Sequence, residues 1–170
     1  KHLKKVTLEL GGKNATIVLD DADLEVAASC VAWSCYLHQG QICMATGTVL
    51  AHRSVARDLT ERLVHKAKNL PVGDPNTQQV ALGPLINARQ LERVDGIVRD
   101  AVAKGAVLRA GGTYEGLFYK PTVLEDVKPG MRVLQEEVFG PVIAVVPFDT
   151  DEEAIALNNA TEYGLSAGVI

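Results

Sequence analysis

The sequence predicts an α/β fold, a mostly parallel twisted sheet with helices on both faces. Short β-rich runs alternate along the chain with longer helical segments, the pattern that parallel sheets impose because each crossover returns the chain to the starting edge. Two helical segments are amphipathic, and a third is apolar nearly all round, so each has a surface to bury. No linker, repeat or low-complexity tract interrupts the 170 residues. That length suits one domain with a sizeable core.

The elements follow in order. Val6-Thr7-Leu8-Glu9-Leu10 alternates like a strand and breaks at Gly11-Gly12. Ala15-Thr16-Ile17-Val18-Leu19 is a second β-rich run. Asp23 is an N-cap for a helix over 24–37, whose single charge is Glu25; such a helix is expected to be buried, with Cys30 and Cys35 in the core. A bend around Cys43 leads into a strand over 46–52. Amphipathic helices follow over 54–69 and 88–104, the second closed by Gly105 as a left-handed cap. Residues 106–110 form a strand ended by Gly111-Gly112, and 119–124 run extended around Pro121. A turn at 128–131 and a loop at 135–141 precede a strand over 142–148, a helix over 151–159 and a last strand after Tyr163-Gly164.

Composition excludes several classes. Hydrophobic residues make up 47% and charged residues 22%, an ordinary globular balance. A net charge of −4 gives no footprint for nucleic acid. No apolar run approaches the ~20 residues that span a bilayer, and no segment reads as a secretory signal. Three cysteines without CxxC spacing support neither a disulfide framework nor a zinc ribbon, and a reducing, cytoplasmic setting is expected. His2, His52 and His65 are scattered and read as surface residues, so no metal site is expected. Both ends run into apolar segments, so the chain is expected to be part of something longer.

Chemistry concentrates at Cys43. Gly40 and Gly47 bracket it, so the backbone can bend where a side chain would clash. The stretch reads as a bend presenting a sulfur beside backbone N–H groups, which suits a covalent nucleophile. Taken singly, the residues of interest have plainer readings. Cys43 could be a small buried hydrophobe, Glu9 an outward strand residue, Glu137 a loop charge and Phe139 core.

Three stretches change that weighting: Leu8-Glu9-Leu10-Gly11-Gly12-Lys13, Gly40-Gln41-Ile42-Cys43 and Glu136-Glu137-Val138-Phe139-Gly140-Pro141. In this order and spacing they resemble the catalytic domain of the NAD(P)-dependent aldehyde dehydrogenase superfamily, over essentially the whole chain. The resemblance implies that Cys43 is the nucleophile and Glu9 the base that activates water. It also implies that Glu137 holds the nicotinamide ribose, that Phe139 packs near the nicotinamide, and that Leu10 and Gly11 offer backbone close by. The implied cofactor is NAD or NADP, and the implied substrate a small-molecule aldehyde. The residues around Cys43 look most like the bacterial aromatic-aldehyde branch. A Glu base favours hydrolysis to the free acid over transfer to coenzyme A. The resemblance also implies a homo-oligomeric parent enzyme.

The nucleotide-binding domain is absent from these residues, as are the family's oxyanion-hole asparagine and oligomerisation strands. Residues 1–170 are therefore expected to be the thiol-bearing catalytic domain of a longer chain, with little activity alone. Two rivals stand beside this reading: a cofactor-free cysteine hydrolase or acyltransferase pairing Cys43 with His38, and a non-catalytic packing module. The dehydrogenase reading expects the sulfur of Cys43 and the carboxyl of Glu9 to open onto one cavity.

Overall fold

The computed structural model describes residues 3–170, so His2 lies outside the described residues. In chain order the elements are β1 (Asn14–Val18), α1 (Leu24–Tyr36), β2 (Thr46–His52), α2 (Arg53–Asn69), α3 (Ala88–Ala103), β3 (Val107–Ala110), β4 (Tyr114–Glu115), β5 (Phe118–Tyr119), β6 (Thr122–Glu125), α4 (Arg132–Gln135), β7 (Val142–Phe148), α5 (Asp151–Asn158) and β8 (Ala167–Val169). A 3-10 turn over Leu37–Gly40 follows α1. Six strands make one sheet in the order β3-β6-β7-β2-β1-β8, and β4-β5 form a separate hairpin. Every neighbour pair in the six-stranded sheet is parallel except β3 with β6.

Successive strand residues point to opposite faces, and the core divides accordingly. Ala15, Leu50, Ala144 and Val146 pack on one side with Leu91, Val94, Ile97, Val98 and Ala101 of α3. Val49, Ala51, Ile143 and Val145 pack on the other with α1 and α2. Helix ends obey their capping signals. The Asp23 carboxylate accepts from the N–H groups of Glu25 and Val26 at 2.9 and 3.1 Å. Beyond α3, Gly105 N–H donates to the Val102 carbonyl and Ala106 N–H to the Ala101 carbonyl, with Gly105 at φ 100°. That pairing is a Schellman motif.

Three expectations fail. Residues 6–10 form no strand: both edges of β1 are taken, by β2 and β8, so no ladder position remains beside it. Val6, Leu8 and Leu10 are exposed along this stretch. Helix α1 is not buried all round. Ala27, Ala28, Val31, Ala32 and Cys35 cover the sheet, while Val26, Trp33 and Leu37 face outward. Cys30 shares the outer face and is exposed, not core. Composition gives the amount of apolar surface on a helix, but not whether a second layer covers it. Among the described residues, no helix is long and apolar enough to cross a membrane.

Candidate active site

The three stretches singled out in the sequence each end where a strand of the sheet begins. Residues 9–13 run into β1, residues 40–45 into β2 and residues 136–141 into β7. These strands are adjacent in the order β7-β2-β1 and parallel. The three leading segments therefore emerge side by side at the amino ends of the strands, with the Cys43 segment in the middle. Open α/β sheets more often bind ligands at the carboxyl ends.

Direct contacts seal the convergence. Gly12 N–H donates to Oε1 of Glu137 at 2.9 Å. Gly11 has φ 76°, and a Cβ there would lie 2.7 Å from Oε2 of the same carboxylate. A Cβ on Gly12 would lie 2.6 Å from the Cys43 carbonyl oxygen. A Cβ on Gly40, at φ 69°, would strike the Gly140 carbonyl. Glycine is required at these positions because backbone meets backbone or carboxylate.

The thiol sits on a tight turn. Ala45 N–H donates to the Ile42 carbonyl at 3.0 Å, which leaves Cys43 and Met44 as the central residues. Cys43 is half-buried and Met44 exposed. Immediately before the turn, His38, Gln39 and Gly40 are consecutive left-handed residues, at φ 49°, 61° and 69°. Left-handed backbone costs roughly 1–2 kcal/mol at a residue bearing a Cβ, so surrounding contacts must hold this run in place. One such contact is the Gln41 side-chain carbonyl, which accepts from Ile86 N–H at 2.9 Å.

The Glu137 segment is pinned from α3. The Gln90 side-chain amide donates to the carbonyls of Val138 and Phe139 at 3.0 and 2.8 Å. Arg93 donates to the Glu137 carbonyl at 2.9 Å. The Glu136 carboxylate pairs with Arg132 at 2.6 Å and Arg93 at 3.2 Å, and these cations hold it below the usual carboxylate range. Phe139 is half-buried with φ 56°, another left-handed residue bearing a side chain, after His38 and Gln39.

Electrostatics separate the thiols and single out Lys13. Burial pushes the Cys35 thiol up to about 12, which makes it an inert core cysteine. Burial also lowers Lys13 from 10.5 to about 8, opposed by the nearby Cys35 and Glu137. Lys13, Gly47, Glu137 and Phe139 help line a cavity of about 20 Å³ behind the thiol turn, room for about one water.

Of the sequence-derived residues, Gly11, Cys43, Glu137 and Phe139 lie in this convergence. Glu9 and Leu10 are exposed on the irregular stretch that leads to Gly11, and neither Glu9 nor Cys43 lines the small cavity. Asn14, Gln90 and Arg93 escaped the sequence reading. Asn14 carried a usable signal: it is a polar residue at the head of a β-rich run, and all five β1 residues, Asn14 among them, are buried. Gln90 and Arg93 look like ordinary outward helix residues.

Comparison with known proteins agrees with this fold. Residues 1–170 match the Aldehyde dehydrogenase family. The chain is 57% identical over 169 residues to "Benzaldehyde dehydrogenase [NAD(+)]" of Pseudomonas putida, covering 99% of this chain and 35% of that protein. It is 52% identical over 170 residues to "Vanillin dehydrogenase" of an Amycolatopsis strain, covering 100% of this chain and 35% of that protein. It superimposes with a TM-score of 0.91 on the crystal structure of a Staphylococcus aureus betaine aldehyde dehydrogenase in complex with NAD+, at 36% identity over 95% of this chain and 34% of that one. The chain thus spans about a third of the length of the curated relatives it matches. With every residue inside the match, this chain belongs to the aldehyde dehydrogenase family.

Proposed function

We propose that this chain is the thiol-bearing segment of an enzyme that oxidises an aldehyde to its carboxylic acid with a nicotinamide dinucleotide. The observation that carries the proposal is the meeting of the Gly11–Gly12 backbone, the Cys43 turn and the Glu137 carboxylate at the amino ends of β1, β2 and β7.

Cys43 acts as thiolate. Its sulfur bonds to the aldehyde carbon, and the carbonyl π pair moves onto oxygen. The Cys43 backbone N–H stabilises that oxyanion; one such donor is typically worth about 3 kcal/mol. The nicotinamide, when bound, supplies the acceptor for the hydride that the tetrahedral carbon gives up. A thioester on Cys43 remains. Glu9 then takes a proton from water, the resulting hydroxide oxygen attacks the thioester carbon, and the C–S bond breaks to release the acid and the thiolate. Glu9 sits three residues before Gly12, where a Cβ would strike the Cys43 carbonyl, and its exposure leaves the carboxyl free to meet water.

The residues present fit a ribose. Glu137 has one oxygen engaged by Gly12 N–H, and among the described residues no donor engages the other. That second oxygen suits a sugar hydroxyl. Leu10 and Gly11 offer backbone, and Phe139 a ring, beside it. The names of the benzaldehyde and vanillin relatives support an aromatic aldehyde, with Ile42 and Met44 as the apolar wall next to the sulfur.

The test uses the full-length protein with benzaldehyde and NAD, read by the absorbance of reduced nicotinamide. Reduction that disappears in Cys43→Ala is the expected result. Thioester or ester hydrolysis without cofactor, lost on changing His38, would instead establish the hydrolase.

A further inference from the structure

Asn14 makes contacts that the chemistry above does not use. The residue is 3% exposed. Its amide nitrogen donates to the Cys43 carbonyl at 2.7 Å and to the Ala45 carbonyl at 3.2 Å. Its side-chain oxygen accepts from Ser166 N–H at 3.1 Å. One buried amide thus has both protons and one oxygen lone pair committed, the full set its geometry allows toward three backbone groups.

The placement explains the reach. Asn14 opens β1, which lies between β2 and β8. Cys43 and Ala45 precede β2 on one side, and Ser166 precedes β8 on the other. Backbone pairing with β2 shifts register between Asn14 and Ala15. At that irregularity the side chain supplies donors to the turn.

We propose that Asn14 is the positioning residue for the nucleophile: it fixes the peptide plane that carries Cys43, and so the direction of the sulfur, and ties that plane to the segment before β8. The proposal rests on Cys43 being the nucleophile. The Cys43 carbonyl belongs to the peptide whose rotation moves Cα–Cβ relative to the turn. The Ala45 carbonyl anchors the far side of the same turn. With both held by one rigid amide, the sulfur has a single presentation. All three bonds go to backbone groups of this chain, so the effect on the reaction travels through the turn that carries Cys43.

The experiment compares Asn14→Asp and Asn14→Ser with the unchanged full-length enzyme. Asp has the same shape and still accepts from Ser166, but as carboxylate it has no proton for either carbonyl. Ser keeps one donor. The readouts are the single-turnover rate of nicotinamide reduction, the rate of Cys43 alkylation by iodoacetamide without substrate, NAD affinity, and the thermal midpoint. A misdirected reacting group typically costs about 100-fold in rate. Asn14→Asp is therefore expected to slow single-turnover reduction about 100-fold and to slow alkylation of Cys43, while NAD affinity stays within about threefold. Asn14→Ser is expected to fall between. If Asn14→Asp does not fold, the Ser variant decides alone, with slowed reduction at retained NAD affinity supporting the proposal. Unchanged reduction and alkylation in either folded variant would overturn it. So would a loss that falls equally on NAD affinity, rate and thermal midpoint, the mark of a merely structural residue. Cys43→Ala separates the two claims. If that variant still reduces nicotinamide, the nucleophile assignment itself fails; if it is dead while Asn14→Asp is unimpaired, only the positioning role fails.

Discussion

At the scale of single residues, the three cysteines share a side chain and differ in surroundings. Cys35 is buried with its thiol pushed up to about 12, Cys30 is exposed on α1, and Cys43 is half-buried on its turn. Iodoacetamide at neutral pH, read by peptide mass spectrometry, should leave Cys35 unmodified while Cys43 and Cys30 react. Labelling of Cys35 in the folded protein would contradict its burial. Lys13 gives a second prediction. Its pKa falls from 10.5 to about 8 on folding, so between those values the unfolded chain binds more protons. Stability contributed at this site is therefore lowest below pH 8 and rises toward pH 10.5. Lys13→Met should remove that rise and stabilise the protein at pH 7 by on the order of 2 kcal/mol, measured by urea unfolding at pH 7 and pH 10.5. An unchanged pH dependence would show that Lys13 is solvated. Neither shift was legible in the sequence, because desolvation depends on which layer covers a side chain. Cys30 makes the same point: five residues before Cys35 on the same helix, it faces the other way.

At the scale of elements, strands, helices and caps were largely legible. β2 and β7 span the residues expected of them, because their apolar runs end at clear turn residues. The failure at residues 6–10 is instructive. Alternation there is genuine, but a strand needs a free edge, and β2 and β8 occupy both edges of β1. The left-handed run at His38, Gln39 and Gly40 also had only partial warning, since only the glycine advertises it. Gly40→Ala combines a left-handed Cβ with a clash on the Gly140 carbonyl, and both sit under the thiol turn. It should destabilise the fold by at least ~2 kcal/mol and slow Cys43 alkylation together. Gln90→Ala should cost less, about 1–2 kcal/mol, through two carbonyls left without their donor. Its kinetic effect should fall on NAD affinity rather than on Cys43 alkylation, because the carbonyls it frees belong to the Glu137 segment. Equal slowing of both would show that the segments move as one.

At the scale of the whole molecule, one topological fact does most of the organising. Three segments separated by up to about 130 residues meet because each precedes one of three adjacent parallel strands. The motifs could be read from the sequence, but the strand order could not. Only the order β7-β2-β1 brings the Cys43 turn, the glycines and the carboxylate to neighbouring strand ends. Reading the motifs as a family resemblance supplied the roles, and the sheet supplies the physical reason they can cooperate. The decisive trial is to stop the reaction with the substrate attached. Full-length protein carrying Glu9→Gln, mixed with benzaldehyde and NAD, should release one equivalent of reduced nicotinamide and then stall, with a benzoyl mass on the peptide containing Cys43 and on no other. Steady turnover in that variant, or an acyl group on Cys30 or on no cysteine, would contradict the covalent chemistry assigned to this site.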